Sequence, residues 1–193
     1  MRKLIVSEFV TLDGVMQAPG LPDEDRSGGF EHGGWQQKYF DPLFGKKVLE
    51  TLGGAGGLLL GRKTYEIFAG YWPKQPKGDP FASLMNGLPK HVVSTTLREP
   101  LGWEKSSLLT GDAAAAVGRL KEQGGKELVV IGSGRLVQSL LQNRLVDELR
   151  LMVHPLILGT GKVLFGDVPP ATLELVDSEA SSTGVVLLTY RAG

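Results

Sequence analysis

An arginine, a lysine and a threonine follow directly after an apolar run near position 60. The segment is Leu58–Gly61 followed by Arg62, Lys63 and Thr64, and it predicts a buried strand that turns into a helix. The first turn of a helix offers free backbone N–H groups and the positive end of a dipole, which favour anions. A guanidinium and a hydroxyl at the same place therefore suggest a phosphate site. A surface arginine beside a capping threonine would leave the same pattern.

A second segment of this kind follows later in the chain. An apolar, β-branched run meets a glycine-bearing turn and then a helical pattern, in the residues Gly132, Ser133, Gly134, Arg135 and Leu136. Glycines at such a turn let the backbone bend sharply and let a ligand approach the main chain. The third glycine of the Rossmann fingerprint is missing, and no Walker-type Gly-Lys-Ser/Thr follows. A simple tight turn is the alternative interpretation.

Three hydroxyl residues, Ser94, Thr95 and Thr96, end another predicted strand. Taken alone, such residues commonly cap a turn. In α/β sheets, however, ligands bind in the crevice outside the carboxyl ends of the strands. Three strand ends with small, polar, anion-friendly residues therefore predict a cradle for an elongated phosphorylated ligand, and a dinucleotide is the natural candidate.

Composition narrows the class of protein. The chain has 193 residues, which suits one domain over residues 1–193, and a formal net charge of zero, which suggests no general affinity for nucleic acid or an anionic membrane. Cysteine is absent, so disulfides, a thiol nucleophile and thiolate metal sites are excluded. No His, Asp and Glu cluster has metal-ligand spacing, and no metal is expected. The N-terminus does not read as a signal peptide and no run could span a bilayer, so a cytoplasmic location is expected.

The order of predicted elements indicates the fold class. Strands are predicted over residues 3–10, 57–60, 90–94, 107–109, 127–131, 147–154, 172–178 and 184–191, and helices over 35–52, 64–68, 112–123 and 136–142. Pro42 and Gly45 weaken the first of these helices or break it into two pieces. Residues 16–34 are predicted to form a long loop, and 71–89 an irregular stretch. Strands and helices alternate early, and strands alone follow after Val146. This order predicts an α/β fold with a mostly parallel central sheet and antiparallel C-terminal strands.

The ordered set of motifs resembles the dihydrofolate reductase-like superfamily. The motifs are Leu12–Gly14, Leu60–Glu66, Ser94–Thr96, Ile131–Gly134 and His154–Gly161. Within the superfamily, the chain is most similar to stand-alone relatives of the reductase domain of bifunctional riboflavin-biosynthesis deaminase-reductases. The resemblance implies a three-layer α/β fold. It also implies an NADPH-dependent reductase that transfers hydride to a small pterin- or pyrimidine-like heterocycle.

The resemblance also implies roles for the cofactor-side residues. Gly61, Arg62, Lys63 and Thr64 would hold the phosphates of NADPH, and Ser94–Thr96 would lie near its adenosine end. The segment Ile131–Leu136, with Gly132, Ser133, Gly134 and Arg135, would lie under the pyrophosphate. The charges and hydroxyls among these residues predict a preference for NADPH over NADH.

Substrate-side roles follow from the same resemblance. Asp13 and Gly14 would lie beside the nicotinamide and the substrate, with Asp13 as the catalytic candidate, although Asp13 before a glycine also suits a plain turn. Trp35 would help to wall the substrate pocket or else belong to the core. Asp41 is the nearest candidate for the carboxylate that anchors the pterin in dihydrofolate reductases, but its surroundings match poorly. Folate reduction proper, or a non-catalytic nucleotide-binding protein of the same fold, are the alternative functions.

Two further expectations concern the partner and the substrate. Apolar residues on both faces of the late strands, among them Leu149, Leu151 and Met152, predict a homodimer. The segments expected around the substrate carry Asp13, Asp23, Glu24, Asp25 and Glu31 against only Arg26 and Lys38. This balance predicts an unphosphorylated, neutral or cationic heterocycle rather than a phosphorylated one.

Overall fold

An eight-stranded sheet runs through the centre of the computed structural model, which describes residues 1–192. The strands are β1 (Leu4–Thr11), β2 (Ala55–Gly61), β3 (Lys90–Val93), β4 (Ser106–Leu109), β5 (Glu127–Ile131), β6 (Glu148–His154), β7 (Leu173–Ala180) and β8 (Val186–Ala192). Their order across the sheet is β4-β3-β2-β5-β1-β6-β8-β7. The first six pair in parallel, whereas β8 is antiparallel to both β6 and β7. The predicted mostly parallel sheet with antiparallel C-terminal strands is confirmed.

Five α-helices cover the two faces of the sheet. They are α1 (Pro42–Gly54), α2 (Arg62–Tyr71), α3 (Pro80–Gly87), α4 (Ala113–Glu122) and α5 (Gly134–Gln142). One apolar cluster packs α4 and α5 on β1, β5 and β6, and a second packs α1, α2 and α3 on the opposite face. The central strands are buried on both faces, as βαβ connections require. The predicted three-layer architecture is therefore confirmed.

Two helix predictions need correction. The helix predicted over 35–52 begins only at Pro42, one of the two positions where a break was expected, because Asp41 caps it by accepting a hydrogen bond from the Phe44 amide at 2.8 Å. A proline at the first position also suits a helix start. The stretch predicted as irregular contains α3, which begins in the same way: Asp79 accepts from the Ala82 amide, again at 2.8 Å.

Helices of the same chain cover both faces of β6, so the apolar residues of β6 do not require the predicted homodimer. Leu149 and Leu151 of β6 join the cluster beneath α4 and α5. Met152 packs against Phe44 of α1 on the other face. Both faces of β6 are thus buried without a partner, and the most exposed apolar residues of the sheet lie instead on β7, at Leu175 and Val176, with Val186 at the start of β8 less exposed.

Within residues 1–192, no helix is long and apolar enough to cross a bilayer. The same residues contain no group of three or more His, Asp or Glu side chains placed to hold a metal ion.

Candidate functional site

The predicted cofactor residues lie side by side at the carboxyl edge of the sheet. Strands β3, β2, β5 and β1 are consecutive neighbours and run in parallel. Their ends carry Ser94, Gly61, Gly132 and Thr11 respectively. Three steps between neighbouring strands, at about 4.8 Å each, put roughly 14 Å between the two outer strands. The edge therefore presents an extended row of polar strand ends, which suits an elongated ligand better than a compact one.

The two glycine-bearing turns are joined to each other by hydrogen bonds. The Gly61 amide donates to the Ser133 hydroxyl at 2.9 Å, and the Ser133 amide donates to the Thr64 hydroxyl at 2.9 Å. Gly132 has a φ of +63°, and a Cβ added there would lie 3.0 Å from the Thr64 side chain. The hydroxyls of Ser133 and Thr64 thus hold the N-termini of α2 and α5 together. The sequence predicted that both residues lie at the site, but it did not predict that each contacts the other's turn.

The cations predicted to bind phosphate lie at the surface of this edge. The Arg62 guanidinium donates to both oxygens of the Glu66 carboxylate, one helical turn along α2, at 3.1 and 3.2 Å. The Lys63 Nζ lies 3.6 Å from an Asp25 oxygen, and Arg135 in the first turn of α5 is exposed. All three side chains can reach a ligand from solvent, although two of them already have carboxylate partners.

Ser94 closes a turn, whereas its two neighbours are exposed. The buried Ser94 hydroxyl accepts hydrogen bonds from the amides of Thr96 at 3.1 Å and Leu97 at 3.0 Å. The turn-capping alternative thus describes Ser94. Thr95 and Thr96 lie on the surface, where their hydroxyls can meet a ligand.

Asp13 ties the end of β1 to the segment that follows β6. Its carboxylate accepts from the Thr11 hydroxyl at 2.5 Å, from the Gly159 amide at 2.7 Å and from the Leu158 amide at 3.2 Å. The Thr11 hydrogen bond and these backbone donors lower the pKa of Asp13, so the group is ionised at neutral pH. It therefore cannot supply a proton there. Gly14 beside it has a φ of +79°, which favours glycine.

The loop over residues 16–34 is held by the buried side chain of Gln17. Its amide nitrogen donates to the carbonyls of Asp25 at 3.0 Å and Ser27 at 2.9 Å, and its oxygen accepts from the Lys162 amide at 3.0 Å. The Trp35 indole donates to the Gln17 carbonyl at 2.8 Å. The loop thus has a built-in anchor beside the row of strand ends.

Trp35 contributes to an aromatic cluster around a buried histidine. The rings of Phe9, Trp35, Tyr39 and Phe44 surround His154 edge-on, and the Trp35 and His154 centroids lie 4.9 Å apart. Burial lowers the pKa of His154, so the ring is neutral at neutral pH. Trp35 therefore belongs to the core, as the alternative interpretation held. It also borders an open pocket of about 420 Å³ with Leu156 and Leu158 among its walls.

Both carboxylate oxygens of Asp41 are engaged in structural hydrogen bonds. One oxygen accepts from the Phe44 amide at 2.8 Å, and the other accepts from the amide and hydroxyl of Ser182, both at 2.9 Å. The residue is buried. Its carboxylate caps α1 and fastens the β7–β8 connection, which leaves the predicted substrate contact without structural support.

Sequence reasoning missed Glu8, a carboxyl group inside β1. The residue is 3% exposed, and one of its oxygens has no hydrogen-bond partner among residues 1–192. Burial raises the pKa of Glu8 well above its usual value, against a smaller lowering by the Gly132 amide. An acidic residue within an otherwise apolar strand was the available signal. The Glu8 carboxyl group interacts with the Gly132 amide and so lies at the base of the second glycine-bearing turn.

The fold and the row of strand ends define a dihydrofolate reductase-like protein, and comparison with known sequences narrows the class. Residues 2–187 match the model of the RibD C-terminal domain. The chain therefore belongs to the RibD C-terminal domain family, a reductase-type family. It is 29% identical over 193 residues to the uncharacterized protein YyaP of Bacillus subtilis, covering 98% of this chain and 94% of that protein.

Solved structures show the same fold. A protein from Shewanella sp. PV-4 assigned to riboflavin biosynthesis superimposes with a TM-score of 0.74 at 24% identity, covering 99% of both chains. A pyrimidine reductase-like protein from Corynebacterium diphtheriae superimposes with a TM-score of 0.69 at 15% identity, covering 100% of this chain and 92% of that one. The resemblance inferred from the motifs is thereby confirmed at the level of family and fold.

Proposed function

We propose that this protein is an NADPH-dependent reductase that transfers hydride to a small pyrimidine- or pterin-like heterocycle, of the riboflavin-biosynthesis reductase type. The observation that carries the proposal is the cross-bonded pair of turns at Gly61–Thr64 and Gly132–Leu136. Both turns open helices at the same sheet edge, so their N–H groups and dipoles favour anions at one place. Membership of a reductase-type family supports the assignment of chemistry.

Exposed cations and hydroxyls beside two helix N-termini suit the phosphates of a dinucleotide. An added Cβ at Gly132 would meet Thr64 at 3.0 Å, and one at Gly134 would meet the Met16 sulfur at 2.6 Å. Glycine at both positions therefore lets this turn pack tightly against α2 and the loop over 16–34. The proposed phosphate contacts are Arg62, Lys63, Thr64, Ser133, Gly134 and Arg135, with Thr95 and Thr96 toward the adenosine. The amides of Gly61 and Leu136 already donate to Ser133, so these two residues shape the turns instead.

The cofactor would supply the hydride, and the chain would supply position and shielding. The anchored loop over 16–34 covers one side of the row of strand ends, where it can exclude water from the reacting atoms. Asp13 holds the Leu158–Gly159 segment in place as an ionised carboxylate. Its proposed role is therefore positioning, and the proton that follows the hydride must come from another group or from water.

Folate reduction proper is less well supported than pyrimidine-type reduction. A dihydrofolate reductase needs a free carboxylate against the pterin ring, and both oxygens of Asp41 are occupied. The sequence offers no better-placed carboxylate on α1, whose only acidic residue is Glu50.

Steady-state assays test the proposal. NADPH oxidation is followed with dihydrofolate, with 5-amino-6-(5-phosphoribosylamino)uracil and with its unphosphorylated counterpart. A pyrimidine substrate should give a kcat/KM above about 10⁴ M⁻¹s⁻¹, in the usual range for a true substrate. Dinucleotide binding without turnover of any substrate would favour the non-catalytic alternative. Absence of dinucleotide binding would refute the proposal.

A further inference from the structure

Donors from three parts of the chain converge on the carboxylate of Asp25. The Lys162 Nζ lies 2.5 Å from one of its oxygens, and the Lys63 Nζ lies 3.6 Å from the other. The Ser27 hydroxyl donates to Asp25 at 2.6 Å and accepts from the same Lys162 nitrogen at 2.6 Å. The Asp25 side chain is 14% exposed, whereas those of Lys63 and Lys162 are 57% and 52% exposed. The carboxylate is thus enclosed by donors that solvent can still reach.

The charges at this point do not balance. Two ammonium groups lie within 4 Å of one carboxylate, and the adjacent Glu24 carboxylate is bonded instead to the amides of Gly20 and Leu21. Within contact distance the positive charges therefore outnumber the negative ones. Burial alone would raise the pKa of Asp25, but the hydrogen bonds from Lys162 and Ser27 lower it to about 2. The surroundings are therefore strongly selective for an anion. A phosphate group, with roughly −1.5 to −2 charges and three acceptor oxygens, would match these donors better than a carboxylate does.

The position of this cluster connects the cofactor edge to the substrate loop. Lys63 lies in the first turn of α2, where the cofactor phosphates are proposed to bind. Lys162 belongs to the glycine-rich segment after β6, which Asp13 fastens to the end of β1. Asp25 comes from the loop over 16–34. One phosphate-sized anion at this point would contact both sides of the site.

We propose that Lys63, Lys162 and Ser27 form a phosphate-binding subsite, which the Asp25 carboxylate fills until a phosphate group replaces it. The proposal rests on the proposed function only in taking the phosphate from a dinucleotide or a phosphorylated substrate. The subsite itself rests on the convergence of donors and on their excess of positive charge.

The exchange requires only a side-chain rotation. The buried Gln17 amide holds the carbonyls of Asp25 and Ser27 at 3.0 and 2.9 Å, so the backbone of this segment is anchored independently of the carboxylate. Asp25 can move to another staggered rotamer while Ser27 stays in place. The neighbouring carboxylate, Asp23, pairs with Arg26 and contacts neither lysine. Asp23 therefore offers a matched control that removes the same charge from the same loop.

Calorimetric titrations of the full chain with NADPH, NADH, ribose 5-phosphate and inorganic pyrophosphate test the subsite. Asp25→Asn should bind at least one of these probes about three- to tenfold more tightly than wild type, because it removes the competing negative charge, and the half-exposed lysines limit their pairing with Asp25 to a modest energy. Asp23→Asn should stay within about twofold of wild type. The double variant Asp25→Asn with Lys162→Met should lose the gain. Thermal unfolding and circular dichroism verify that each variant is folded.

The probes distinguish the source of the phosphate. A gain with NADPH alone indicates the 2′-phosphate, a gain with both dinucleotides indicates their pyrophosphate, and a gain with ribose 5-phosphate alone indicates the substrate. Each of these results supports the subsite. Unchanged or weaker binding of every probe by Asp25→Asn would overturn it, as would an equal gain in Asp23→Asn. If no variant binds a dinucleotide but pyrophosphate binding rises, the proposed function fails and the subsite stands.

Discussion

Arg62 is the side chain best placed to distinguish NADPH from NADH. Its guanidinium lies at the first position of α2 and is shared with Glu66 at 3.1 Å, a half-exposed pair that a phosphate can displace. A charge-assisted hydrogen bond to the 2′-phosphate contributes about 1.5–3 kcal/mol. Arg62→Ala should therefore weaken NADPH binding about tenfold or more while leaving NADH binding nearly unchanged. Calorimetry with both cofactors measures the difference.

Arg119→Ala provides the matched control, because Arg119 is an exposed arginine on α4 and lies outside the row of strand ends. It should leave both affinities as they are. An equal loss of NADPH and NADH binding in Arg62→Ala would show that Arg62 contacts a phosphate common to the two cofactors. Equal affinity of the wild type for both cofactors would contradict the predicted preference altogether.

The buried side chain of Lys90 should make the stability of the protein depend on pH. The residue is buried, donates to the carbonyls of Asn86 and Glu104, and its Nζ lies 4.2 Å from the centre of the Trp103 ring. Burial, with a smaller effect from Lys105, lowers the pKa of Lys90 to about 8. The unfolded chain therefore binds more protons between about pH 8 and 10.5, so the unfolding free energy rises with pH in that window.

Urea unfolding of wild type and Lys90→Met at pH 7.5 and 10 isolates this effect, since all other titrations are common to both proteins. The unfolding free energy of wild type relative to Lys90→Met should increase by about 1–3 kcal/mol from the lower to the higher pH. A difference that is independent of pH would mean that Lys90 has an ordinary pKa in the folded state.

At the scale of residues, the sequence identified the polar side chains at the strand ends but not their partners. Thr64 and Ser133 were predicted to meet a ligand, and the structure shows them contacting each other's turns. The burial of Glu8 and Lys90 was not predicted, because it arises from strands that are distant in sequence. Residue type and local spacing predict which side chains could bind an anion. Whether those side chains instead bond to other parts of the protein depends on the tertiary structure.

Alanine substitutions at two glycines, one in the turn between β5 and α5 and the other inside α4, should have opposite effects on stability. Gly132→Ala would put a Cβ 3.0 Å from Thr64 at a φ of +63°, which should destabilise the protein by about 1–3 kcal/mol and weaken dinucleotide binding. Gly118 lies inside α4, where a Cβ would meet no atom within 4 Å. Gly118→Ala should therefore stabilise the protein by about 0.5–1 kcal/mol.

Chemical unfolding of both variants, with NADPH titration as a second measurement, checks the pair. A stable Gly132→Ala variant with unaltered NADPH affinity would show that the turn tolerates a side chain and does not hold the pyrophosphate. Loss of stability in Gly118→Ala would contradict the assumption that helix propensity dominates at that position.

At the scale of elements, strands were predicted better than helices. The run Glu127–Ile131 and the Asp112 cap of α4 were read correctly, because a buried parallel strand and an Asp before an alanine run are strong local signals. The start of α1 was placed too early because Trp35 and Tyr39 have helical spacing, although both pack around His154 from a loop and a short turn. The start signals are Asp41-Pro42 and Asp79-Pro80. Pro42 was predicted only as a possible break in the helix, and Asp79-Pro80 was missed.

The whole molecule leaves one end of its sheet exposed. β7 pairs only with β8, and Leu175 and Val176 on it are 52% and 47% exposed. The acidic residues of β7 are partly neutralised by Lys47 from α1, which lies 3.0 Å from Glu179. The mostly parallel sheet with antiparallel C-terminal strands was predicted from the order of elements, but the coverage of β6 by α1 and α5 was not. It is therefore the exposed β7 surface, and not β6, that now supports the predicted homodimer.

We expect two copies to pack through the β7 surface, because exposed apolar residues at the end of a sheet commonly mark an interface with a symmetric partner. Light scattering at micromolar concentration should give a mass near twice the 20.7 kDa of the chain. Val176→Lys should shift the mass toward that of one chain, since a desolvated ammonium would be left without a partner. Ile157→Lys is the control, because Ile157 is more exposed, at 73%, but lies outside the strands. A wild-type mass of one chain would refute the homodimer, and dissociation by Ile157→Lys alone would move the interface to the segment after β6.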